Sequence, residues 1–184
     1  MRWTLDTVAD AVGGIAVGSA VITSVVIDSR RSVPGSLFVA LRGDHVAGHD
    51  FIPAALAAGA VAALVAPGYL PDGVPGVEVA DPVAALAALA RRRRAEVSAP
   101  VVAVTGSTGK TTTKDLIAAA IGSGAHAAPS SYNNEIGVPL TVRGCPDDAT
   151  ALVVEVGSRG VGHISSLADA MRPNVAVITN IGPA

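Results

Sequence analysis

Residues 101–121 read VVAVTGSTGKTTTKDLIAAAI, and this stretch decides the fold. Val101 to Val104 is a short apolar, β-branched run of the kind that forms a buried strand. Thr105, Gly106, Ser107, Thr108, Gly109, Lys110, Thr111 and Thr112 follow, and then an amphipathic run to Ile121. Strand, glycine-rich turn, lysine, hydroxyl and helix together make a phosphate cradle. Glycines let backbone N–H groups turn toward phosphate oxygens, and the helix N-terminus adds partial positive charge. Lys110 is placed to reach the outer phosphates, and the Thr111 hydroxyl to ligate Mg²⁺. The general P-loop pattern has a glycine five positions before Gly109; Val104 stands there, so this is a shorter variant, TGxxGKTT. The chain has eleven Arg but only two Lys, Lys110 and Lys114, both in this element. That usage fits a compact point charge kept for phosphate.

Outward from this core, the chain alternates strands and helices. Toward the N-terminus, a helix is expected over 5–12, stopped by Gly13-Gly14, with strands over 22–27 and 36–41. A polar loop follows over 44–50 (DHVAGHD), then a helix over 51–58 and strands over 61–65 and 77–79. Asp81-Pro82 opens a helix to about residue 97 with a cap and a first-turn proline. Its four-arginine run, 91–94, reads as one solvated helix face with long stems over the core. Ser98-Ala99-Pro100 is the expected domain boundary. Toward the C-terminus come a short strand at 125–128, a polar loop over 130–139 (SSYNNEIGVP) entering a helical turn, and a strand over 151–156 carrying Glu155. A helix over 162–171 and a strand over 175–179 complete the pattern. This is α/β: apolar strands alternating with helices argue a parallel sheet covered on both sides.

Composition bounds the function classes. The chain has 184 residues, 50% of them hydrophobic but only 3% aromatic, so its core is built from small side chains. A net charge of −2 gives no general pull toward nucleic acid or anionic membrane. One cysteine, Cys145, excludes an internal disulfide and fits a reducing, cytoplasmic compartment. The N-terminal MRWTLDTVADAVGG lacks an h-region and no apolar run reaches ~20 residues, so neither a signal peptide nor a membrane span is expected.

Taken together, DSRRSVPGSLFVALRGDHVAGHDFIPAALAAGA, TGSTGKTTTK and NNEIGVP resemble the Mur ligases, the ATP-dependent amide ligases of peptidoglycan precursor synthesis. The likeness is greatest to the last-acting member; the diamino-acid-adding member before it usually carries TGTNGKTT and lacks NNxIGxP. The resemblance implies a UDP-precursor-binding domain over 1–97 and the first half of an ATP-binding domain over 98–184. It implies ATP and Mg²⁺, with UDP-N-acetylmuramoyl-tripeptide and D-alanyl-D-alanine as substrates joined through an acyl phosphate, and a monomer when full length. Family members have three domains and a metal-binding histidine beyond the TNIG segment, so the chain is read as an N-terminal fragment of such a ligase. Ala47 stands where the family often has Asp, in Asp-Gly-His. A nucleotide-binding module without turnover, or the neighbouring diamino-acid-adding ligase, is the alternative.

The candidate site residues follow. Lys110 and Thr111, with Mg²⁺, neutralise charge on the transferring phosphoryl group. Glu155, near the C-terminal end of an apolar strand, sits at the edge where open parallel sheets bind ligands, and a carboxylate there suits Mg²⁺. A frayed strand end is its plainer reading. By spacing alone, Asn133 and Asn134 are turn residues; the resemblance implies contact with substrate or transferred phosphate. Ser29 and Arg30 offer a hydroxyl and a guanidinium to a diphosphate or uracil edge, though a surface turn accounts for them equally well. His49 is a nucleotide contact or a solvated loop residue. Arg159 and His163, just past the Glu155 strand, either face the same cleft or serve as caps and surface.

Overall fold

The computed structural model describes residues 2–43, 46–130 and 132–182. Asp44 and His45 of the expected polar loop, and Ser131 of the later one, lie outside the described residues. The chain divides into two compact units, residues 1–89 and 90–184. The division falls inside the helix that precedes Ser98-Ala99-Pro100.

In the first unit, β1 (Trp3–Thr4) runs into α1 (Leu5–Val12). The Thr4 hydroxyl accepts from the Thr7 N–H to cap the helix, and Gly13 ends it in a left-handed conformation. The strand expected over 22–27 is two strands. β3 (Val21–Ile22) pairs antiparallel with β1, and β4 (Ser24–Val26) joins a second sheet. That sheet has the order β2 (Ile15–Val17), β7 (Gly76–Glu78), β6 (Ala60–Val65), β5 (Ser36–Val39), β4. It is parallel except for β2, an antiparallel edge. α2 (Ile52–Ala57) covers it, burying Ile52 and Ala55 against Phe38, Ala63 and Val65.

α3 (Pro82–Glu96) begins as its sequence demands: Asp81 Oδ1 accepts from the Val83 and Ala84 N–H groups at 2.8 and 3.1 Å. The second unit holds a four-stranded sheet, β11 (Val175–Ile178), β8 (Val101–Thr105), β10 (Ala151–Glu155), β9 (Ala125–Ala127), with every pairing parallel. α4 (Lys110–Ile121), α5 (Gly137–Arg143) and α6 (His163–Met171) connect these strands. β8 and β10 are central, and β10 is buried at every residue. β11 forms an edge despite its apolar sequence, leaving Val175 and Ile178 50% and 61% exposed.

The arginine run is not one solvated face. Arg93 is 2% exposed; its guanidinium donates to the Cys145 carbonyl and pairs with Asp147 at 2.6 Å. Arg94 donates to the carbonyls of Met171 (2.9 Å) and Val97 (2.7 Å) and to Asn174 Oδ1 (3.0 Å). A 100° step per residue puts four consecutive positions all round the helix, so some must point inward. Burial, with the Arg93 charge nearby, also pushes Arg143 down to about 10. Arg93→Ala is therefore expected to cost about 3 kcal/mol by stranding buried polar groups, against at most about 0.5 kcal/mol for exposed Arg91→Ala. Urea denaturation of the two variants measures the difference.

Candidate active site

Parallel pairing puts the C-terminal ends of β8, β10 and β11 at one edge of the sheet of the second unit, and the phosphate loop leaves β8 there. Register sets Glu155 opposite Val104, one residue before the loop. Gly109 is the N-cap of α4, in a left-handed conformation that only glycine adopts freely. Lys110, Thr111 and Thr112 form the first turn of α4, where amide groups lack intrahelical partners. Lys110 Nζ donates to the carbonyls of Gly106 and Ser107 at 2.7 and 3.2 Å, so its ammonium lies over the loop. Thr105 ties the loop's base to the sheet by donating to the Val156 carbonyl at 2.9 Å. Thr112 faces solvent.

Glu155 is 1% exposed, so it is no frayed strand end. Its two carboxylate oxygens are both engaged: Oε2 accepts from the Thr111 hydroxyl and Oε1 from Asn133 Nδ2, each at 2.7 Å. A buried carboxylate needs such donors to offset its lost hydration. Asn133 is braced in turn, its carbonyl accepting from the Gly157 N–H at 2.7 Å. Asn134 has a different job. Its Oδ1 accepts from the Ile136 and Gly137 N–H groups at 3.2 and 2.8 Å, which starts α5. Two adjacent asparagines thus divide the work: one meets the carboxylate, the other shapes the turn.

The second lysine does not share the cradle. Lys114 is buried and donates to the Ala128 carbonyl at 2.6 Å, with Asp115 Oδ1 at 2.8 Å. It fastens α4 to the end of β9, where the Asn133 loop begins. Arg159 and His163 converge on Glu135, at 3.0 Å from Oε1 and 3.4 Å from Oε2 respectively. The His163 Nδ1 accepts from the Arg159 N–H at 3.1 Å. The Glu135 carboxyl is held below its ordinary range, chiefly by its own backbone N–H and then by these two side chains. Their common partner is Glu135, not Glu155.

Oxygen donors are what Mg²⁺ takes. The hydrogen bond between Thr111 and Glu155 brings a hydroxyl and a carboxylate together beside the loop, which fits such an ion. Among the described residues no cluster of three His, Cys, Asp or Glu side chains forms a metal centre. Two oxygen ligands suit an ion that keeps most of its water and shares the rest of its shell with phosphate.

In the first unit, His49 lies in a 3₁₀ turn (Gly48–Phe51) and stacks on Tyr69, with centroids 4.0 Å apart and planes at 22°. Both line a cavity of about 360 Å³ with Arg42, Gly48, Asp81 and Val83. Ser29 and Arg30, in another 3₁₀ turn, do not line it. Ser29 is buried, and Arg30 grips Asp28 with two bonds of 2.9 and 2.7 Å. Nothing in the sequence between residues 66 and 76 singled out Tyr69. Its role depends on a loop folding back onto the His49 turn.

Comparison with known proteins also treats the chain in two parts. The model for the Mur ligase family, catalytic domain, matches residues 21–94, and that for the Mur ligase middle domain matches residues 104–184. The UDP-N-acetylmuramoyl-tripeptide–D-alanyl-D-alanine ligase of Synechocystis is 42% identical over 89% of this chain and 37% of its own length. The ligase of the same name from Bacillus subtilis is 37% identical over 99% of this chain and 42% of its own. The crystal structure of MurF from Acinetobacter baumannii superposes with a TM-score of 0.88 at 30% identity, covering all of this chain and 42% of that one. The MurF ligase of Thermotoga maritima, solved in complex with ADP, gives 0.77 at 34% identity over 88% of this chain and 38% of that one. The chain spans about two fifths of the length of the curated relatives it matches. Among the described residues no helix is long and apolar enough to cross a membrane. A phosphate loop on a parallel sheet, two models of one family covering most of the sequence, and these solved relatives lead to one conclusion: the chain belongs to the Mur ligase family.

Proposed function

We propose that this chain supplies the nucleotide-handling part of an ATP-dependent ligase that joins D-alanyl-D-alanine to UDP-N-acetylmuramoyl-tripeptide in peptidoglycan precursor synthesis. The observation that carries the reading is the Glu155 carboxylate, bonded to the Thr111 hydroxyl and the Asn133 amide beside the phosphate loop. In such a reaction a substrate carboxylate takes a phosphoryl group from ATP, and an amine then displaces phosphate. A negatively charged nucleophile attacking a negatively charged phosphate needs charge neutralisation above all. Lys110 supplies one positive charge and the first turn of α4 supplies amide donors. Thr111 and Glu155 would hold Mg²⁺, which when bound neutralises phosphate oxygens. Asn133 orients Glu155 and keeps a side-chain amide beside the same edge. NNEIGVP, which sets the last-acting member apart from the diamino-acid-adding one, is the segment that puts Asn133 there. The cytoplasm, where UDP-linked precursors and ATP are available, is the proposed compartment.

The first unit is the proposed seat of the UDP part. The His49–Tyr69 stack offers an aromatic wall to a planar base, and Arg42 a positive charge at the cavity. Ser29 and Arg30 are weaker candidates, because Arg30 would have to give up Asp28 to reach a ligand.

Four outcomes are expected. In a ligase that contains this chain, Lys110→Ala lowers kcat by about 10²-fold or more with an unchanged melting temperature, as when one preorganised electrostatic group is removed. A phosphate-release assay with ATP, Mg²⁺ and both substrates reads this; ligation at the ordinary rate would sink the assignment. In the same assay Glu155→Gln raises the Mg²⁺ concentration needed for half activity, while unchanged Mg²⁺ dependence would make Glu155 structural. In the first unit, His49→Ala weakens UDP binding about tenfold, the loss of one stacking partner, and Arg30→Ala does so less. The Arg30 side-chain hydrogen bond holds the Asp28 carboxyl down to about 2. The pair therefore stabilises the fold above the ordinary carboxylate pKa of about 4 and is lost as pH falls through about 2. NMR titration of Asp28 should return toward about 4 in Arg30→Ala.

A further inference from the structure

We propose that Asn180 is a positioning residue for the phosphate loop, its carboxamide gripping Thr108 at two points and so setting the loop's shape before nucleotide arrives. The inference rests on the reading above only in taking the loop as the seat of a nucleotide. β11 ends at Ile178, paired opposite Thr105 at the end of β8, so the residues that follow run beside the loop. The Thr108 N–H donates to Asn180 Oδ1 at 2.9 Å, and Asn180 Nδ2 donates to the Thr108 hydroxyl at 2.9 Å. The Ser107 N–H donates to the Asn180 carbonyl at 3.0 Å. On either side, the Thr179 hydroxyl donates to the Thr108 carbonyl at 2.6 Å, and the Gly182 N–H to the Ser107 hydroxyl at 2.9 Å. The approach is close enough to dictate sequence: a Cβ at Gly106 would run into Thr179 Oγ1 and the Asn180 carbonyl, at a φ of +138°.

Counting donors shows what the grip does. The amides of Ser107 and Thr108 are already engaged, so phosphate is left to donors such as the Gly109 amide, the first-turn amides of α4 and Lys110. The Lys110 ammonium rests on the carbonyls of Gly106 and Ser107, which belong to the gripped segment. Asn180 therefore governs the turn into α4 and the platform under the lysine together. Carboxamide chemistry suits the task, offering one acceptor and one donor to the N–H and hydroxyl of a single residue. Because these bonds are exposed to water, each adds little to global stability. Their effect falls on loop shape.

The test compares Asn180→Ala and Asn180→Asp with the unaltered 184-residue chain. Calorimetry measures affinity for Mg·ADP and for inorganic tripolyphosphate, and melting is followed without ligand. Asn180→Ala is expected to bind both ligands about tenfold more weakly, the worth of one or two hydrogen bonds, while melting as the unaltered chain does. Asn180→Asp keeps an acceptor for the Thr108 N–H and another for the Thr108 hydroxyl, but adds negative charge near the phosphates. Its deficit should shrink toward the unaltered chain at high salt, where that charge is screened, while the Asn180→Ala deficit stays. Equal binding by Asn180→Ala overturns the proposal, as does weakened binding matched by a lower melting temperature in the absence of ligand. Failure of the unaltered chain to bind either ligand would instead overturn the nucleotide reading beneath it.

Discussion

A carboxylate at the end of a fully buried strand is the constraint on which the second unit depends. Glu155 closes β10, the strand buried at every residue, and ionised it tolerates that place only with donors on both oxygens. Those donors come from different elements, Thr111 from the first turn of α4 and Asn133 from the loop before α5. One buried group thus sets the approach of a helix and a loop. The parallel pairing of β8 with β10 does the rest, because the same register that buries Val104 and Val154 delivers the phosphate loop to the carboxylate's edge. Fold and site are one arrangement here.

Legibility in the sequence followed locality. The strand–loop–helix of residues 101–121 was readable because each part is decided by its neighbours: an apolar run, glycines at a turn, a helix beginning at Lys110. The Asp81-Pro82 helix start was readable for the same reason. What escaped needed partners far away in sequence. Trp3–Thr4 and Ile15–Val17 are strands only because Val21–Ile22 and Gly76–Glu78 lie beside them. Residues 22–27 looked like one strand because periodicity cannot show a chain changing sheets between Ile22 and Ser24. In the site, Lys110, Thr111 and Glu155 were legible, whereas the split of duties between Asn133 and Asn134 was not. Either asparagine has the chemistry for either role, and only the backbone path decides. Asn180 left no signal because its partner Thr108 is 72 residues away.

Charge in this chain is spent on structure more than composition suggests. A run of four arginines looks like a wet surface, yet Arg93 is sealed in and Arg94 spans three acceptors. Arg serves such places because its planar guanidinium makes several bonds at once and keeps its charge when buried. The last turns of α3 lie in the second unit, where Arg93 and Arg94 bond to Cys145 and Met171.

Burial of Lys114 also gives the chain a chemical property. With only two lysines in the sequence, and one buried on α4 and spent on Ala128, amine-directed reagents have few addresses here. Of the two lysines, only the partly exposed Lys110 is reached by solvent. A mild acylating or reductive-alkylating label would thus report selectively on the phosphate loop, and a bound phosphate competing for that ammonium would register as protection from the label.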